Sequence, residues 1–146
     1  FSGNTALDGK GGVLYTSGGI LEYDTGNLVD NSSSGNGGAL DIEGSAVVVL
    51  NNLTVTNNSG ANGGFMYTKG ATVTLYNSVL NNNIASGSGG AIYSQAALSV
   101  YDTTIYLKEG DILVFEEEGR GYIKPVEDFV TIAEAIEELT NIVDVG

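Results

Sequence analysis

Gly11-Gly12-Val13-Leu14-Tyr15, Gly37-Gly38-Ala39-Leu40-Asp41, Gly63-Gly64-Phe65-Met66-Tyr67 and Gly89-Gly90-Ala91-Ile92-Tyr93 are four statements of one phrase. Their starts, at 11, 37, 63 and 89, are 26 residues apart each time. A fixed period of that size is the mark of a solenoid, in which each repeat is one coil and neighbours supply its core. Overlaying the copies at that period puts Leu14, Leu40, Met66 and Ile92 in one column and Leu21, Val47 and Val73 in a second. Tyr23, Val49, Leu75 and Tyr101 form a third, and Asn31, Asn57 and Asn83 a fourth.

Between the glycines lie short alternating runs of Val, Ile, Thr and Tyr, such as 71–76, which favour strands. Clusters such as 31–36 and 57–62 are turn chemistry, because Gly and Asn tolerate positive φ and Ser bonds its own backbone. About three strands and three turns per unit close only as a parallel β-helix, each strand pairing with its counterpart one coil on. The paired glycine is then a corner where a Cβ would clash, and the Asn column a ladder of side-chain amides. Parity within the strands predicts Leu21, Tyr23, Val47, Val49, Val73, Leu75 and Tyr101 inward, with Val48, Thr74 and Tyr76 outward. On the third strand it predicts Leu53, Val55, Val79 and Ile105 inward. That leaves Leu28, Leu80 and Tyr106 in an outward apolar column, which is either a subunit or partner interface or a sign that the register slips by one residue at a bulge.

Paired glycine followed by a small and a bulky apolar residue, together with Phe1-Ser2-Gly3-Asn4, resembles the GGA-I and FxxN repeats of the chlamydial polymorphic outer-membrane proteins and similar adhesin-like repeats. Looser copies of FxxN are read at Leu53-Thr54-Val55-Thr56 and Val79-Leu80-Asn81-Asn82. The resemblance covers roughly residues 1 to 105. It implies a right-handed β-helix and a surface-exposed adhesive role.

After Ile105 the repeat stops, and Phe115-Glu116 stand where a fifth glycine pair would fall. Residues 108–146 read as a separate module beside the coils of 1–107. A strand at Ile112 to Phe115, an acidic turn at 116–119 and a strand near Tyr122-Ile123 make a hairpin. From 126 to 143 the spacing of Phe129, Ile132, Ile136 and Leu139 predicts an amphipathic helix, with Pro125 at its first turn. That helix either caps the last coil or joins copies of itself, as in a trimer. The run from Glu109 to Phe115 also has a faint likeness to segments of phage fibre and head-decoration proteins, which implies a virion component. Phe1 falls inside a repeat phrase, so the chain is expected to be a piece of something longer.

With net charge −13 and five basic residues, nucleic acid and anionic membrane are expected non-partners. No apolar run reaches the ~20 residues of a membrane helix, so no membrane insertion is expected. The chain has neither His nor Cys, so no His-based general base, no triad and no thiolate site can form. Glu22, Asp24, Asp41 and Glu43 give no reason to converge across a scissile bond as glycosidase carboxylates must. No catalytic residue, metal or cofactor is therefore assigned. Tyr15, Tyr67 and Tyr93, with Asp41 interrupting them, form an outward column that either contacts a glycan or shields the corner. The sequence thus predicts an all-β right-handed parallel β-helix of about four 26-residue coils with a hairpin-plus-helix cap. Its expected role is a non-enzymatic structural and adhesive module, extracellular or displayed on a cell or virion surface, meeting a surface protein or glycan. The runner-up is a virion fibre or decorating protein oligomerising through the tail. A fragment of a carbohydrate-active enzyme comes third.

Overall fold

A computed structural model describes residues 1–107, 111–115, 121–125 and 142–144. Within them the chain winds as a parallel β-solenoid of about four coils. The first coil holds β1 (Thr5–Ala6), β2 (Leu14–Thr16) and β3 (Ile20–Val29), and the second β4 (Ser32–Ser33), β5 (Leu40–Glu43) and β6 (Val47–Thr56). The third holds β7 (Ser59–Gly60), β8 (Met66–Tyr76) and β9 (Val79–Asn81), and the fourth β10 (Ile84–Ala85), β11 (Ile92–Tyr101) and β12 (Thr104–Leu107). Each strand pairs in parallel with its counterpart one coil on: β1, β4, β7 and β10 form a small sheet, and the longer strands form a continuous one.

The glycine pair makes the corner before the second sheet, and its two members do different work. Gly37 has φ +66, and a Cβ there would strike the carbonyl oxygen of Leu40 in its own coil. Gly38 meets the next coil instead, where a Cβ would land on the carbonyl oxygen of Gly64 and 2.6 Å from that of Ser59. One glycine lets the chain turn, and the other lets the coils touch.

Although the glycine pairs keep a 26-residue interval, the long strands do not. Leu28, Val55, Leu80 and Ile105 are in register at intervals of 27, 25 and 25 residues. The second coil carries one extra residue at the corner around Gly44 and Ser45, since Thr16 and Ile20 face Ile42 and Val47. It gives the residue back before Ala61, which is again 26 residues from both Gly35 and Gly87 in their hydrogen-bonded row. A slip of one residue exchanges the two faces of a strand.

Several expected columns change accordingly. The inward rows are Leu21, Val48, Val73 and Leu98, then Tyr23, Leu50, Leu75 and Val100. Val47 and Tyr101 are exposed, Val49 is half-buried on the outer face, and Val48 is buried, the reverse of the parity expectation. On the third strand Leu53, Val55 and Ile105 are buried as expected, but Val79 is 41 % exposed. Leu28 and Leu80, whose expected outward column meant either an interface or a slipped register, have no exposed surface and stack with Val55 and Ile105 in the core, so the register slips. Tyr106 is not in their row; it sits half-buried beside Ile105. Leu14, Leu40, Met66 and Ile92, close to the glycine pairs, keep the predicted column.

Positive φ is confined to repeated places in the coil. Thr25, Asn52, Asn77 and Asp102 share one corner, all with φ between 48° and 61°. Asn and Asp tolerate that region, whereas a β-branched residue there is strained. Thr25→Asn is expected to raise stability by about 1 kcal/mol, since Asn would also offer the acceptor that Asn52 Nδ2 now finds at Thr25 Oγ1 (3.1 Å). A urea melt of this variant that matches or falls below wild type would remove the strain assignment.

Beyond the coils, β13 (Asp111–Phe115) and β14 (Gly121–Pro125) form an antiparallel hairpin, and β14 pairs with β11 at Tyr93 and Tyr122. The helix expected over 126–143, with Phe129, Ile132, Ile136 and Leu139 as its interface, lies outside the described residues except at its end. There Ile142 and Val143 belong to β15 (Ile142–Asp144), which pairs in parallel with β12. Two β-branched residues beside an otherwise open strand edge favour pairing over another helical turn.

Candidate functional site

Tyr15, Asp41, Tyr67 and Tyr93 are in register, one per coil, as the glycine phrase predicts. They alternate with core residues such as Leu40 and Ile42, so the row faces outward. Exposure along it is uneven: Tyr15 is 49 % exposed, Tyr93 half-buried, Tyr67 8 % exposed and Asp41 closed off. The Tyr67 and Tyr93 rings stack with centroids 5.4 Å apart. At the other end Lys10 Nζ lies 5.3 Å from the centre of the Tyr15 ring and donates to Glu43 Oε1 at 2.6 Å. Of the two readings of this column, glycan contact or a shield for the corner, the burial of Asp41 and Tyr67 favours the shield, a largely closed seam.

Asp41 is covered by its neighbours rather than sunk in the core. Burial, then the charge of Glu43 and a carboxyl hydrogen bond to it, push its pKa up from 3.8 to about 7, against the pull of Lys10. Glu43 moves the opposite way, held down first by its hydrogen bond to Lys10 and further by that to Asp41. While both are ionised neither oxygen of Asp41 has a donor; protonated, Asp41 donates to Glu43. Burial also raises the Tyr67 phenol, with the charges of Glu43 and Asp41 adding to it.

The pH dependence follows. Between about pH 4 and 7 the unfolded chain has lost the Asp41 proton and the folded chain has kept it, so this group's contribution falls as pH rises and is level outside that window. Glu43 contributes in the other sense, its share being lost as pH falls through the low values. Asp41→Asn is expected to exceed wild type at pH 8 by about 1–2 kcal/mol, less than the full ~1.4 kcal/mol per unit because the cover is thin. Urea melts at pH 4, 6 and 8 check this, and a gap that does not close toward pH 4 counts against the assignment.

In chemical terms the seam holds one buried carboxyl, Asp41, beside a second, Glu43, that is capped by a lysine. Retaining and inverting glycosidases need some 5–9.5 Å between their acids for the bond and water. Among the described residues no cluster of three or more Asp or Glu is placed to hold a metal, and no helix is long and apolar enough to cross a membrane, which leaves strands out of account.

Parity reasoning missed an exposed pair on the long strands: Tyr76 and Tyr101 stack at 5.2 Å on the outer face. A 27-25-25 register would have placed them in one outward row.

The amide ladder exists, with one member changed. Asn4 Nδ2 donates to Asn31 Oδ1 (3.0 Å), Asn31 Nδ2 to Asn58 Oδ1 (3.0 Å), and Asn58 Nδ2 to Asn83 Oδ1 (2.9 Å). Backbone N–H groups of Asn4, Asn31 and Asn58 donate to the same oxygens. Asn57, the expected member, is exposed and occupies the positive-φ place just before the ladder. Three residues before each ladder Asn stands an apolar residue, giving Phe1-x-x-Asn4, Leu28-x-x-Asn31, Val55-x-x-Asn58 and Leu80-x-x-Asn83. Amides of Asn31, Asn58 and Asn83 donate back to the carbonyls of Phe1, Leu28 and Val55. The looser FxxN copies expected at 53 and 79 are therefore displaced; the motif is an apolar residue in the wall, a positive-φ step, and an Asn that ties two coils.

Two stretches of this chain match the Chlamydia polymorphic membrane protein repeat. They are residues 1–17 and 77–95, and each runs through one apolar-x-x-Asn step and one glycine pair. The β-solenoid agrees with a polymorphic membrane protein type of β-helix repeat, and the second and third coils repeat its geometry where the match does not extend. No curated protein matched the chain, and no solved structure did.

Proposed function

We propose that this chain is a non-enzymatic, adhesin-like solenoid displayed on a cell surface, a stiff shaft whose outward side-chain rows meet a protein or glycan on an opposing surface. The observation that supports it most is the unbroken ladder from Asn4 to Asn83 inside a stack with the polymorphic membrane protein repeat. Every coil is tied to the next by side-chain amides, buried from Asn31 to Asn83, so the shaft resists bending while its outer rows are free to vary. The seam supports the non-enzymatic part, since both oxygens of Asp41 are buried and Glu43 is held by Lys10. The repeat match favours a cell-surface setting and adds nothing to a virion one.

Beads coated with residues 1–146 are expected to adhere to cultured animal cells in a saturable way that soluble chain competes away. Adhesion no greater than that of beads carrying an unrelated solenoid sinks the adhesive reading. Release of reducing ends from any polysaccharide by the purified chain sinks the non-enzymatic one.

A further inference from the structure

Along the outer face of the long strands run Asp24, Asn51, Tyr76 and Tyr101, and beside them Glu22, Val49, Thr74 and Ser99. The second coil therefore sets two short side chains, Val49 and Asn51, between Glu22 and Asp24 on one side and Tyr76 on the other. An open, shallow hollow of about 420 Å3 lies over them. Tyr76 is 37 % exposed and stacks one face against Tyr101, with planes 19° apart. Since Tyr101 lies one coil further on, the opposite face of the Tyr76 ring is turned toward the second coil and the hollow.

Polar groups line the rest. Asn77 Nδ2 donates to Asn51 Oδ1 and Asn51 Nδ2 to Asp24 Oδ1, both at 3.0 Å, which fixes the amides in place. Thr25 Oγ1 donates to the same oxygen of Asp24 (3.1 Å). That leaves the second oxygen of Asp24 and both oxygens of Glu22 without a donor among the described residues.

We propose that this hollow binds a neutral pyranose unit of a glycan chain, its C–H face on the Tyr76 ring and its hydroxyls on Glu22 and Asp24. An aromatic π face is negative and attracts the polarised C–H groups of a sugar. Carboxylates only accept, and sugar hydroxyls donate. The volume lies within the range of small-ligand sites. Two carboxylates at the rim of a chain of charge −13 repel uronates, sialic acids and sulfated sugars, which selects the neutral class. The proposal deepens the adhesive reading and rests on it, giving the outer face a ligand.

Saturation-transfer NMR and calorimetry with cellohexaose, maltohexaose and chitohexaose test it, beside a heparin fragment and an oligolysine peptide. At least one neutral hexasaccharide is expected to bind with a Kd of roughly 0.1–1 mM, equally at low and high salt because no ion pair is made. Tyr76→Ala should weaken binding about tenfold, worth ~1.4 kcal/mol, while Tyr76→Phe and Tyr15→Ala leave it unchanged. Should Tyr76→Ala fail to fold, the double variant Glu22→Gln/Asp24→Asn carries the test, with a similar loss expected. No binding by any of the three, binding indifferent to Tyr76→Ala, or binding of heparin or oligolysine alone overturns the proposal. Coated beads that adhere while no hexasaccharide binds would remove the hollow as the site and leave the adhesive reading standing; hexasaccharide binding without bead adhesion would do the reverse.

Discussion

Gly38→Ala is expected to destabilise the chain by at least about 4 kcal/mol, the range that only gross backbone conflict reaches. The added methyl lands on the carbonyl oxygen of Gly64 and 2.6 Å from that of Ser59, and both belong to the third coil's backbone. No rotamer change relieves it, since a methyl has none and the obstacles are main chain. Only parting the second and third coils makes room, and that breaks the row in which Gly38 N donates to Gly63 O (3.0 Å). For a chain of this size the change corresponds to a fall in Tm of about 10 °C or more. Gly9→Ala is the control: its Cβ meets only the Ala6 methyl, at 3.8 Å, and its effect should stay within about 0.5 kcal/mol. Thermal melts that place the two variants together would show that the coils are not in contact at the glycine corner.

Asn58→Leu is expected to cost roughly 3–4 kcal/mol, though Leu has the same branching and number of side-chain heavy atoms as Asn. The buried amide Oδ1 accepts from both the backbone N–H and the Nδ2 of Asn31, and its own Nδ2 donates to Leu28 O and Asn83 Oδ1. After the substitution the Asn31 N–H has no acceptor in a place water does not reach, and two oxygens each lose a donor. An unsatisfied buried polar group costs about 1–3 kcal/mol. One residue away, Asn57 is exposed at φ 59° and is bonded to Asn82 Nδ2 at the surface. Asn57→Gly keeps that backbone conformation without strain and should change stability by no more than about 0.5 kcal/mol. Urea unfolding of the two variants separates a ladder centred on 58 from one centred on 57.

That one-residue distinction shows where sequence reading succeeded. Its four glycine phrases fixed the coil count, the parallel stacking and the Leu14, Leu40, Met66, Ile92 column, because the steric demand of the corner repeats at a constant interval. They also placed Tyr15, Asp41, Tyr67 and Tyr93 in one row, since all four lie within four residues of that corner.

Farther from the corner the same logic misled. An extra residue near Gly44 and Ser45, returned before Ala61, leaves the glycine interval at 26 and shifts the strand between by one place. Alternating strands have two faces, so the shift moved Leu28 and Leu80 from an expected outward column into the core, and a second register change, between Gln95 and Ala97 of the fourth coil, carried Tyr101 out to join Tyr76. Closure of Asp41 was equally hidden, because Lys10 reaches it from 31 positions earlier by way of Glu43.

From its sequence alone this protein is a stack of coils turning at paired glycines, because local sterics at a repeated corner need no knowledge of the rest. Which side chains line the core, which amides join the ladder and where the outer face opens into a hollow depend on how compensating insertions are shared between neighbouring coils. Those balances are set by burial and hydrogen bonding across the stack, and only the tertiary structure decides them.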